Sequence, residues 1–143
     1  MNTTQPRHSV SVSGVIPDDH GRVLLIRRRD NQHWEPPGGV LELAESIHDG
    51  LRREIREETG LDIEPGPLTG VYKNMPRGIV ALVFRCKITG GDLTTTEEAS
   101  AFRWATGDEI AELMDQAYAV RVLDALEDDQ PPAVRHHDGV HLL

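Results

Sequence analysis

From His8 to Val15 apolar and polar residues alternate loosely, and this period of two predicts a strand. Turn chemistry follows in PDDHG at Pro17 to Gly21, and RVLLIRR then resumes an apolar run, so the simplest reading is two strands joined by a turn. The Pro-Pro-Gly-Gly within DNQHWEPPGG breaks regular structure and predicts a shaped loop. Beyond it the spacing becomes helical. Ser46 with Asp49 three residues on resembles a capping box, and Gly60 is placed to stop the chain, which predicts a helix over Ile47 to Thr59. Strand fragments and turns mix in LDIEPGPLTGVYKNMPRG, whereas the IVALVF centre of Gly78 to Ile88 predicts a central strand buried on both faces. A short strand in AFRWA and two helices, Asp108 to Asp115 and Tyr118 to Glu127, complete an α/β pattern. Residues 1–128 read as a single domain and 129–143 as a flexible C-terminal tail.

The helix carries an inverted charge pattern. With Ile47 at zero and about 100° per residue, Leu51 falls near about 40°, Ile55 near about 80°, Glu58 near about 20°, Glu54 near about 340° and Glu57 near about 280°. Two of the three acids therefore point with the apolar anchors, while Arg52, Arg53 and Arg56 occupy the opposite arc. Carboxylates near a core resist joint ionisation unless something positive sits among them. Hard divalent cations such as Mg²⁺ or Mn²⁺ supply that charge and take oxygen ligands. Taken alone, EIREE also fits a solvated helix laced by pairs such as Arg53–Glu57.

Composition narrows the classes. A chain of 143 residues fits one domain, and its formal net charge of −9 excludes a duplex nucleic acid as the expected partner. No stretch approaches the roughly 18 to 20 apolar residues of a membrane span, and MNTTQPRHSV lacks the pattern of a secretory leader, so the cytoplasm is the expected compartment. Cys86 is the single cysteine and reads as a packed strand thiol.

Counted from Gly39, the chain runs glycine, five residues, Glu45, seven residues, then Arg53-Glu54-Ile55-Arg56-Glu57-Glu58-Thr59-Gly60-Leu61. This resembles the signature box of the Nudix hydrolases at every fixed position, and the flanking GRVLLIRR, WEPPGG and Glu98 extend the likeness over about residues 8–126. The resemblance implies an α/β/α sandwich with a mixed β-sheet and a hydrolase that cleaves the diphosphate linkage of a nucleoside diphosphate derivative. It also implies Mg²⁺ or Mn²⁺ held by Glu54, Glu57, Glu58 and the carbonyl of Gly38, with one glutamate available as the water-activating base. Arg53 would orient Glu57, Glu98 would act as base or further ligand, and Glu45, Gly39 and Gly60 would support the site. A nucleotide-sensing module without turnover and a hydrolase of non-nucleotide diphosphates are the alternatives; assembly as a homodimer is left open.

The box leaves the substrate unread. Trp34 and Tyr72 are the candidates to stack on a base, and Lys73, Asn74 and Arg77 those to meet phosphate or sugar. His136, His137 and His141 lack the i,i+4 spacing of a zinc pair and are assigned to the tail.

Overall fold

The computed structural model of the chain describes residues 5–143. Residues 1–4, part of the start read above for a leader, lie outside the described residues. In chain order the elements are β1 (Ser9–Val15), β2 (Val23–Arg28), β3 (Trp34–Glu35), β4 (Gly38–Val40), α1 (Ile47–Thr59), β5 (Leu61–Asn74), β6 (Ile79–Gly91), β7 (Ala99–Ala105), α2 (Gly107–Leu113), α3 (Gln116–Ala125) and β8 (Ala133–His137). Five strands form a mixed sheet in the order β4-β1-β6-β5-β8, with β1 parallel to β6 and β5 parallel to β8. The other three form an antiparallel sheet in the order β3-β2-β7. No helix among the described residues is long and apolar enough to cross a membrane.

Strand periodicity sorts the core into two layers. Along β6, Ala81 and Val83 face one way, packing with Tyr72, Ala119 and Val122, while Leu82, Phe84 and Cys86 face the other, towards Val12, Leu51 and Ile55. The mixed sheet thus lies between α1 on one face and α3 on the other, the expected sandwich, with β6 at its centre. Cys86 is buried, and desolvation pushes its thiol up to about 12, which leaves it an inert packing group.

Four local readings change. The turn at Pro17 to Gly21 does not make a hairpin within one sheet: Pro17 bridges Val23 at its base, after which β1 joins the mixed sheet and β2 the three-stranded one. The stretch around Pro36 and Pro37 is a gap between two short strands, because proline cannot donate to a ladder but glycines 38 and 39 can. The mixed segment from Leu61 is one long strand whose register shifts between Pro65 and Leu68, where the prolines interrupt pairing. The expected flexible tail is corrected for Ala133–His137, which pair with Gly70–Asn74 as β8, and His137 is fully buried.

Helix α1 spans its predicted residues. The Ser46 hydroxyl accepts the Asp49 N–H at 3.2 Å, and Gly60, at φ 80°, closes the helix with its N–H on the Arg56 carbonyl at 2.9 Å. Leu51 and Ile55 are fully buried, each contributing roughly 1.5–3 kcal/mol. Ile47 is 44% exposed, so the buried arc is turned away from the first anchor and towards Glu54, Glu58 and Thr59.

Removing residues 130–143 should expose the open edge of β5 and leave Arg121 without its contact to His137. We expect the truncated protein to melt more than about 5 °C below the full chain. Equal melting temperatures would show that the segment behaves as a tail.

Candidate functional site

The site begins at a sheet edge. Gly14 N–H donates to the Pro37 carbonyl and Leu41 N–H to the Val10 carbonyl, both at 2.9 Å, with Val12 opposite Gly39 between them. Backbone groups alternate along an antiparallel pair, so those of Gly38 and Val40 turn outward from the edge, towards α1. Helix side chains meet them there: Gly38 N–H donates to Glu58 Oε1 at 3.1 Å, and Arg53 Nη2 donates to the Val40 carbonyl at 3.3 Å. The same alternation sets the Gly38 carbonyl on the α1 side.

Three carboxylates converge at this edge. Ligand oxygens of Glu54, Glu58 and Glu98 all lie within 4.8 Å of one another. Glu54 and Glu58 are buried on α1, and Glu98 comes exposed from the β6–β7 loop. That loop is tied down: Thr94 N–H donates to the Thr59 carbonyl at 2.9 Å, the Thr96 hydroxyl to the Glu58 carbonyl at 3.4 Å, and Arg29 N–H to the Glu98 carbonyl at 3.0 Å. Burial pushes the Glu58 carboxyl up to about 8, against the stabilising Gly38 N–H, and Glu35, Glu54 and Glu98 add repulsion. Burial also raises Glu54, with Arg53 opposing the shift.

Arg53 is the brace. Its guanidinium holds Glu45 through Nε at 2.8 Å and Nη2 at 2.6 Å, and Nη1 reaches Glu54 at 3.0 Å and Glu57 at 3.2 Å. This pairing holds the Glu45 carboxyl down at about 2. Arg53 therefore orients chiefly Glu45 and Glu54, and Glu57 only as one contact among several. Glu57 stays half exposed and outside the three-carboxylate group. Gly39 lies flat against the Glu54 carboxylate, where even a methyl group would overlap it, and a methyl at Gly50 would meet Leu41 and the Glu45 carboxylate.

Beside the acids lies a cavity of about 250 Å³ on the α3 side of the mixed sheet. Gly38 and Gly39 are in its wall, so it adjoins Glu58 and Glu54. The hydroxyl-bearing Ser9, Ser11 and Ser13 line it from β1, Glu35 and Arg28 from the neighbouring strands, and Tyr118 and Arg121 from α3. Arg28 Nη1 donates to Glu35 at 3.0 Å, yet burial still raises the Glu35 carboxyl.

Of the five substrate contacts expected from sequence, only Asn74 lines this cavity. Tyr72 is corrected: it has no exposed surface, packs in the core, and its hydroxyl donates to Asp124 at 2.7 Å, so it cannot stack on a base. Trp34 packs against the same core, because its register opposite Arg27 turns the ring inward. Lys73 belongs to the opposite sheet face, one residue out of phase with Asn74, and Arg77 is in the exposed β5–β6 turn. Glu35, Arg121 and the serines were not singled out from sequence. Their available signals were the period-two serines of SVSVS and an arginine beside Val122 in an otherwise apolar helix stretch.

A NUDIX domain model matches residues 7–126. A MutT-like protein of Streptomyces ambofaciens is 57% identical over 99% of this chain and 91% of its own length. The human 8-oxo-dGDP phosphatase NUDT18 is 33% identical over 92% of this chain, which spans 36% of that protein. Among solved structures, an ADP-ribose pyrophosphatase of Streptococcus suis superposes with a TM-score of 0.76 at 20% identity, covering 90% of this chain and 99% of that one, a likeness of fold. By the domain match and by the relative that spans nearly the whole chain, this protein belongs to the Nudix hydrolase family.

Proposed function

We propose that the protein hydrolyses the diphosphate linkage of a nucleoside diphosphate derivative with Mg²⁺ or Mn²⁺ bound at Glu54, Glu58 and Glu98. The observation that carries this reading is the convergence of three carboxylates beside Gly38 and Gly39, the strand residues that also wall a cavity of about 250 Å³. The donor set fits such a cation: the ligands are hard oxygens, and Arg53 reaches Glu54 but neither Glu58 nor Glu98 among the described residues. The Gly38 carbonyl, on the same side, is the further oxygen of the set. Two of the relatives are named for 8-oxo-dGDP and for ADP-ribose, both nucleoside diphosphate derivatives.

When bound, the metal supplies charge to offset the diphosphate and lowers the pKa of a water. The chain's own residues do the rest. Gly38 N–H fixes the orientation of Glu58, and Arg53 holds Glu54 and Glu45 in register through a fork that lysine cannot reproduce. Glu98, exposed on its tethered loop, is the acid best placed to take a proton from an attacking water. Glu57 extends the acidic rim from α1.

Glu58→Gln should retain the fold and lower kcat at least about a hundredfold with little change in KM. Activity within about threefold of wild type would remove Glu58 from the mechanism. The same variant tests the electrostatics without turnover. Because the folded carboxyl titrates near 8 and an unfolded one near the ordinary value of 4.5, metal-free protein should lose stability as pH rises between them. Glu58→Gln should flatten that slope, and Mg²⁺ should raise the wild-type melting temperature more at pH 8 than at pH 5. A metal-free melting temperature that climbs over this interval equally in both proteins would contradict the account.

Gly39→Ala should push the Glu54 carboxylate from its place, lowering kcat about tenfold or more while the melting temperature falls by only a few degrees. Full activity would show that Glu54 works from another position.

A further inference from the structure

The cavity holds a buried cation whose hydrogen bonds do not close. Arg121 lies 4.9 Å over the Tyr118 ring and 5.4 Å over the Tyr72 ring. Its Nε is buried with no partner, and no carboxylate forms an ion pair with it among the described residues. Nη2 sits 3.0 Å from His137 Nε2, but the other ring nitrogen, Nδ1, faces the Gly139 N–H at 3.0 Å. A neutral imidazole has one acceptor nitrogen and one N–H. Two N–H donors thus compete for one lone pair, and either Arg121 or Gly139 is left facing another N–H. Burial and the adjacent guanidinium disfavour a second proton on His137, which would worsen the conflict in any case.

Across the same cavity stands the complementary group. Glu35 is oriented by Arg28 and lies within electrostatic reach of Arg121, yet the two do not pair. With the Arg121 guanidinium on one wall and the Glu35 carboxylate on the other, the cavity suits a flat ligand edge that presents acceptors and N–H groups side by side.

We propose that Arg121 determines base specificity, its fork taking the O6/N7 edge of a guanine-type base while Glu35 accepts that base's N–H groups. The proposal rests on the reading that this cavity receives the nucleoside. Arginine pairs bidentately with O6 and N7 of guanine, whereas adenine turns its N6 amino group, a donor, towards the fork. His137, fixed by β8 with Nε2 3.0 Å from Arg121 Nη2, is a positioning residue for the guanidinium.

The test is equilibrium binding of GMP and AMP by calorimetry in Mg²⁺, on wild type, Arg121→Gln and Glu35→Gln, each checked by thermal melting. Wild type should bind GMP about tenfold or more tighter than AMP. Arg121→Gln should bring that ratio to about one or invert it, since glutamine suits the N6/N7 edge of adenine. Glu35→Gln should weaken GMP and leave AMP nearly unchanged. If Arg121→Gln fails to fold, Arg121→Lys, which keeps the charge and loses the fork, should still cut the preference severalfold. No binding of GMP, an AMP affinity equal to or above that of GMP in wild type, or a preference that survives both substitutions would overturn the proposal. Turnover separates the two readings. Selective GMP binding without cleavage of any nucleoside diphosphate defeats the hydrolase reading and keeps this one; equal binding of both nucleotides, with cleavage of their diphosphate derivatives, does the reverse.

Discussion

The hydrogen bond from Gly38 N–H to Glu58 joins the open edge of the mixed sheet to the acidic face of α1. An edge strand leaves half its backbone groups without partners, and a buried carboxylate needs donors it cannot find in an apolar layer. Here each requirement meets the other. The edge of β4 gives Glu58 its donor and accepts Arg53 at Val40, while the helix covers an edge that would otherwise be free to pair. The register of three short residues against β1 therefore decides where the acids stand.

Repulsion among those acids shapes what surrounds them. Arg53 offsets part of it, but its fork is committed to Glu45 and Glu54, so Glu58 and Glu98 are left close together without a paired cation among the described residues. The two glycines that face them are matters of space. Gly39 allows Glu54 to lie on the strand itself, and Gly50 makes room for Leu41 and Glu45 beneath the preceding loop. A helix built only for stability would not keep Glu54 and Glu58 inward with arginines outward. Keeping these carboxylates buried costs stability in the metal-free chain, as the proposed cation site would require, a pattern common to functional clusters.

Much of this was legible in the chain because it is local. The capped helix from Ser46 to Gly60, the inward direction of Glu54 and Glu58, and the central strand around IVALVF follow from spacing alone. What depended on tertiary placement was not. Tyr72 and Asn74 share a strand face, yet one packs beneath α3 and the other opens to the cavity, a difference set by where α3 ends over β5. Glu98 could be suspected from sequence, but its approach to Glu58 depends on threonine contacts between the loop and the end of α1. The final segment, polar and rich in histidine, carries no strong strand pattern, because β8 is an edge strand with Val134 turned to solvent and His137 turned inward. Arg121 and His137, far apart in sequence, meet only because that strand is added.

The most direct test of the central claim is the position of a bound Mn²⁺ by anomalous diffraction from crystals of the wild-type protein. The account predicts a peak among the carboxylates of Glu54, Glu58 and Glu98, at roughly 2.0–2.4 Å from their oxygens and beside the Gly38 carbonyl. A peak held instead by Glu57 or Glu45 away from that group, or no peak at millimolar Mn²⁺, would contradict it.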